Sequence, residues 1–196
     1  YQETVVTIKK TLKPQSFKTG KVFTIKNKTE HHPEGLGYNL LAKVEGQDPV
    51  LKDEIIIIGG HLDHVGSCPD LMPGANDNAS AVAVMLGVAQ ALMKCEVKPK
   101  RTVLFAFFGA EEQGVKGSEF YLEHPMFDLN KTVGLINMDG VGSGDRIFVL
   151  AGKNFPWLYG PLEKANTSYI HRQMAANYWN NLTRPRLDAA RFADKN

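Results

Sequence analysis

From Tyr38 onward the chain alternates between short apolar runs and segments of helical periodicity. Asn39 to Val44 reads as a strand, and Glu54 to Gly60 as a buried one, because Ile55-Ile56-Ile57-Ile58 offers β-branched side chains to both faces. Asn78 to Lys94 places Val82, Met85, Leu86, Ala89 and Leu92-Met93 at helical spacing, with Asp77 or Asn78 suited to the N-cap. Thr102 to Phe108 predicts a second buried strand. Ser118 to Glu123 predicts a short helix, and Thr132 to Met138 and Arg146 to Leu150 predict further strands. Phe155 to Asn166 reads as a helix with Pro156 at an early position. Strands alternating with helices predict an α/β fold, a mainly parallel sheet with helices on both faces.

Both ends of the chain read differently. Thr4 to Ile8 and Lys21 to Lys26 alternate as half-buried strands around a turn region at Pro14 to Gly20. Two such strands cannot make a core alone, so residues 1–33 read as a β-rich extension and 34–196 as the main domain. After Tyr169 the periodicity fades, and Tyr178 to Thr183 followed by Arg184-Pro185 reads as loop after a possible helix.

Composition narrows the function classes. At 196 residues with 43% apolar content, the chain can bury one substantial core. Its formal charge of +2 comes from scattered basic residues, which does not make a nucleic-acid footprint. The apolar runs Ile55 to Ile58 and Val103 to Phe108 are too short to cross a bilayer. Two cysteines, Cys68 and Cys95, lack CxxC spacing, and Cys95 at a helix end reads as a small buried hydrophobe.

The informative residues gather at strand ends. His61 and Asp63 follow the strand ending at Gly60, Glu111 and Glu112 follow the one ending near Phe108, and Asp139 follows Ile136-Asn137-Met138. Open α/β sheets place ligand sites beyond the carboxyl ends of their strands, and Asp77 reaches the same rim if its helix leads away from it. One imidazole and five carboxylates are costly to gather unless something cationic sits among them, and divalent metal ions are the simplest candidate.

Spacing separates some of the roles. Residues i and i+2 of an extended segment point the same way, so Asp63 can brace the ring of a metal-bound His61. Of the adjacent pair Glu111 and Glu112, one can ligate a metal while the other acts as general base. His64 reads as a loop histidine near the site. Carboxylates and imidazole without thiolate suit zinc but also accept manganese or cobalt.

Four motifs in order now carry a resemblance. Gly59-Gly60-His61-Leu62-Asp63-His64-Val65-Gly66, Pro73-Gly74-Ala75-Asn76-Asp77-Asn78-Ala79-Ser80-Ala81, Phe107-Phe108-Gly109-Ala110-Glu111-Glu112-Gln113-Gly114 with Gly117-Ser118, and Asn137-Met138-Asp139 resemble the M28 zinc peptidases. These are co-catalytic metallo-aminopeptidases and related carboxypeptidases. The resemblance implies that Asp77 bridges two zinc ions, with His61 and Asp139 completing one site and Glu112 serving the other. It further implies Glu111 as general base, Asp63 as the brace for His61, and a cis peptide between Asp77 and Asn78. The implied reaction is hydrolysis of a peptide at its chain end, in which Glu111 takes a proton from the attacking water and passes it to the leaving amine.

The chain also departs from that family. Leu187-Asp188-Ala189-Ala190-Arg191-Phe192 is similar to a Ser-Asp-x-x-x-Phe segment that precedes the family's last zinc ligand, a histidine. No histidine follows His171, and His171 lies before that segment. The expectation is therefore a fragment lacking the last strand and helix of the sheet, with an incomplete second zinc site and poor activity. The resemblance makes residues 1–33 a remnant of a protease-associated module and points to a secreted or periplasmic setting. Other readings on the same scaffold are a carboxypeptidase, a single-zinc glutaminyl cyclase-like enzyme, or a non-catalytic binding member. Tyr178-Trp179 could line a specificity pocket, or form a core pair.

Overall fold

A computed structural model of the chain describes residues 18, 20–22, 24–28, 30, 32–67, 70–175 and 182–195. The chain divides into two compact units, residues 1–35 and 36–196. In the first, the described part of Lys21–Lys26 forms no strand, contrary to the alternation. Val22 and Ile25 are 94% and 90% exposed, so among the described residues of that stretch the apolar side chains are not buried. Thr4–Ile8, Cys68 and Tyr178-Trp179 lie outside the described residues.

The second unit is built on β1 (Leu40–Val44), β2 (Ile55–His61), β5 (Thr102–Phe108) and β6 (Thr132–Asn137), in the order β1-β5-β2-β6. Two-residue strands β3 (Gly66–Ser67) and β4 (Leu71–Met72) pair in the connection after β2. Strand β1 runs antiparallel to β5, whereas β5, β2 and β6 are mutually parallel. Every residue of β5 is buried, as expected for an inner parallel strand covered on both faces.

Alternate side chains of the inner strands supply two cores. One face sends Ile55, Ile57, Leu104, Ala106 and Phe108 against Tyr121 of α2 (Lys116–Glu123) and Phe192 of α4 (Asp188–Ala193). The other sends Val103, Phe105 and Phe107 against Val82, Met85, Val88, Ala89 and Leu92 of α1 (Ala79–Lys94). Helices therefore cover both faces. Phe192 lies 6.1 Å from Phe108 and 6.0 Å from Tyr121 between ring centroids, which anchors α4 beneath the end of β5.

Two further sequence expectations need correction, and the expected helix after Phe155 is present. Arg146–Leu150 shrinks to β7 (Arg146–Ile147), which pairs with β8 (Gln173–Met174) in a separate two-stranded sheet. Its single short partner leaves Phe148 54% exposed, so the apolar run is not covered as a central strand would be. The helix expected over Phe155–Asn166 is α3 (Pro156–Ala165), with Pro156 in its first turn, and it continues as a π turn over Asn166–Ile170. Cys95 caps α1 at its C-terminus and is exposed, because the face packed on the sheet ends at the partly buried Leu92.

Register brings the ends of the parallel strands to one rim. His61 pairs with Phe108 and Gly59 with Asn137, and the Leu62 N–H donates to the Phe108 carbonyl at 2.7 Å. The turn leaving β5 is packed too closely for side chains. A Cβ on Gly117 would collide with the Gly109 carbonyl oxygen, while Asn39 holds both glycines through the Gly109 N–H (3.0 Å) and the Gly117 carbonyl (2.8 Å). That turn carries Glu111 and Glu112.

Candidate metal centre

His61 ends β2, 1% exposed, and its ring is oriented from below. Its Nδ1 lies 3.0 Å from the Asp63 carbonyl oxygen, an arrangement that makes Nδ1 the donor and leaves a lone pair on Nε2. Nε2 points between two carboxylates, 3.2 Å from Asp77 Oδ1 and 3.4 Å from Asp139 Oδ2. The brace thus comes from the Asp63 backbone. Its carboxylate, 3.7 Å from Nδ1, instead accepts the N–H groups of Glu111 (2.9 Å) and Glu112 (3.1 Å). Asp63 therefore fixes the segment bearing the two glutamates, a carboxylate held in consecutive backbone amides.

Asp77 and Asp139 are brought together by the asparagines around Asp77. Asn78, 1% exposed, donates from Nδ2 to the Met138 carbonyl (3.1 Å) and accepts the Gly140 N–H (3.2 Å). Asn76 accepts the Gly142 N–H at 2.8 Å. Asn78 stands at the N-cap of α1, but its side chain is spent on this lacing and makes no capping bond. The Asp77–Asn78 peptide is cis.

A second group of donors lies beside the first. His64 Nδ1 is 2.6 Å from Glu112 Oε1 and 3.9 Å from Asp77 Oδ1. His61, Asp77 and Asp139 thus form one cluster able to hold an ion, and His64, Asp77 and Glu112 form another, with Asp77 common to both. His61 Nε2, His64 Nδ1 and Asp77 Oδ1 are buried atoms without a hydrogen bond. Buried polar atoms are ordinarily satisfied, so converging unpaired donors fit a cation. The spacings of 3.2 and 3.4 Å match the edge of about 3.3 Å between ligands of a tetrahedral zinc. His171 is exposed at the end of the π turn and belongs to neither cluster.

Glu111 belongs to neither cluster and lines a cavity of about 550 Å³ with Val115, Pro185, Leu187 and Arg191. Burial pushes its carboxyl up to about 7; His61 opposes this, while Asp188, Asp139 and Glu112 add to it. Asp188, at the start of α4, is fully buried, and burial raises it also, against a lowering by the Ser118 hydroxyl. Its segment was legible in the sequence, but its proximity to Glu111 and His61 depends on α4 packing beneath β5. Burial disfavours the charged form of His61, yet Asp139, the Asp63 carbonyl and Glu111 outweigh it and raise the imidazole to about 9.

These shifts carry a pH dependence. His61 and Glu111 are both raised, from 6.5 and 4.5, so the metal-free fold binds more protons than the unfolded chain between about pH 5 and 9. Their contribution to stability is complete below the unfolded values and is lost as pH rises through the folded ones. Thermal melts in chelator should show Tm falling across that interval. Zinc affinity should rise over the same range, because the ion displaces a proton from His61. A metal-free Tm that climbed steadily from pH 5 to 9 would contradict these two assignments.

The comparisons with known proteins agree with the geometry. Residues 39–196 match Peptidase family M28. Leupeptin-inactivating enzyme 1 of Streptomyces exfoliatus is 37% identical over 108 residues, 55% of this chain and 23% of that protein. A probable leucine aminopeptidase 2 of Aspergillus oryzae is 36% identical over 107 residues, 54% of this chain and 20% of its own length. The chain thus spans less than a quarter of these curated relatives. A zinc aminopeptidase from Bacillus subtilis superposes with a TM-score of 0.64 at 25% identity, covering 80% of this chain and 37% of that one. The parallel strands, the rim of donors and the match over most of the sequence have one meaning: the chain belongs to peptidase family M28.

Proposed function

We propose that this chain carries the catalytic centre of a zinc-dependent aminopeptidase, with two ions held around Asp77. The observation that supports this most is the pair of donor clusters sharing one carboxylate. In this reading His61 and Asp139 hold one ion with Asp77, and Glu112 serves the other. Zinc, when bound, lowers the pKa of a water and polarises a carbonyl.

The protein's own residues supply the rest. Glu111, outside both clusters and near pKa 7, takes the proton of the attacking water and returns it to the leaving amine. Asp63 holds the Glu111–Glu112 backbone, so the base and a ligand move as one unit. The Asp63 carbonyl keeps the His61 proton on Nδ1. We expect slow turnover from these 196 residues alone, because the Asp77 side chain is 50% exposed and water is poorly excluded.

Among the described residues no helix is long and apolar enough to cross a membrane. A secreted or periplasmic setting is part of the proposal and rests on the family resemblance. Amino-acid p-nitroanilides with a free amino group, and amino-blocked peptides with a free carboxyl terminus, test the exopeptidase assignment. Hydrolysis should be confined to free amino termini; preferential cleavage of amino-blocked peptides from the carboxyl end would favour the carboxypeptidase reading.

A further inference from the structure

We infer that His64 is a ligand of the second metal ion, alongside Asp77 and Glu112. The inference rests on the two-ion reading above and deepens it. His64 is three residues beyond His61, past the end of β2, where nothing in periodicity places it. The fold does so through the loop before α1. Gly74 has φ +68°, and a Cβ there would lie 2.7 Å from the His64 Cβ and 3.0 Å from its Cγ. The missing side chain is the space the imidazole uses.

The ring then turns Nδ1 inward. That atom is buried, lies 2.6 Å from Glu112 Oε1, and still makes no hydrogen bond. The imidazole lies within ion-pair distance of the carboxylate, yet the two atoms do not meet hydrogen-bond geometry. Asp77 Oδ1, also buried and unbonded, is the third vertex at 3.9 Å. Three donors of two chemical types around one point suit zinc. The Nδ1–Oε1 separation must widen by about 0.7 Å to reach a tetrahedral edge, which the partly exposed Glu112 side chain permits.

The two sites are then alike: each has one imidazole, one private carboxylate and the shared Asp77. His61 is fixed by a backbone carbonyl, whereas His64 is 23% exposed in its side chain and lies at the surface of the centre. The His64 site should be the weaker and more exchangeable of the two.

The test is zinc binding by the whole 196-residue chain, by equilibrium dialysis and by ¹⁵N NMR of the histidine rings. Two zinc ions per chain are expected, with a large shift of the His64 Nδ1 resonance as the second ion binds. His64→Asn should weaken the second ion at least about 100-fold, since even supporting residues of a metal site cost 10–100-fold when lost. It should leave the first ion and the metal-free Tm close to those of the parent. Asp139→Asn should do the reverse, weakening the other ion and sparing the His64 shift. Zinc stoichiometry and affinity unchanged in His64→Asn, or a His64 Nδ1 resonance unmoved by zinc, would overturn the inference while the metal reading survives. A parent chain that binds no zinc at all would overturn both.

Discussion

Glu111→Gln is expected to lower kcat for peptide hydrolysis by about 10²–10⁴-fold while zinc content stays at the parent level. The substitution keeps the size and shape of the side chain and removes only its capacity to take a proton. Glu111 is absent from both donor clusters, so no ion depends on it. The backbone bonds that shape its turn, from the Gly114 and Val115 N–H groups to the Glu111 carbonyl and from its own N–H to Asp63, survive the change. A Gln has no carboxyl to titrate, so the arm of the pH–rate profile assigned to Glu111 should vanish with it. If KM rose instead with kcat intact, the residue would be binding substrate rather than moving its proton.

The second large effect concerns Asp77. Asp77→Ala should weaken both ions, each by at least about 100-fold, whereas loss of Asp139 or Glu112 should cost one ion only. The asymmetry follows from Asp77 being the one residue common to both clusters. The fold should tolerate the change, because Asn76 and Asn78 rather than Asp77 lace the loop to residues 138–142. The Asp77 side chain is half exposed, so its removal opens no sealed cavity.

Much of this site was legible before any coordinates. The run Ile55 to Ile58 and the seven residues of β5 are β-branched or aromatic enough that their strand character owes little to context. Their ends then placed His61, Glu111, Glu112 and Asp139 on one rim, and the spacing in α1 put Asp77 there too. What failed was decided by partners at long range. Arg146–Leu150 has strand-like residues but only a two-residue neighbour, and in Lys21–Lys26 the described apolar residues Val22 and Ile25 are both exposed. The sequence reads His64 as a loop histidine near the site, and its position beside Glu112 is set by the fold. Its inward turn depends on the absence of a side chain at Gly74, ten residues on, and on Glu112 arriving from another strand. The bond from Asp63 to the Glu111–Glu112 amides is likewise invisible to spacing, which finds the neighbour at i+2 but not the partner 48 residues away.

The account stands on one carboxylate serving two metal sites, and counting zinc in the parent chain and in Asp77→Ala tests it most directly. Equilibrium dialysis at neutral pH should find zinc bound to the parent and none retained by the variant at the same free concentration, with matching circular dichroism for both. An Asp77→Ala protein that is folded and still holds zinc with the parent's affinity would contradict the shared centre.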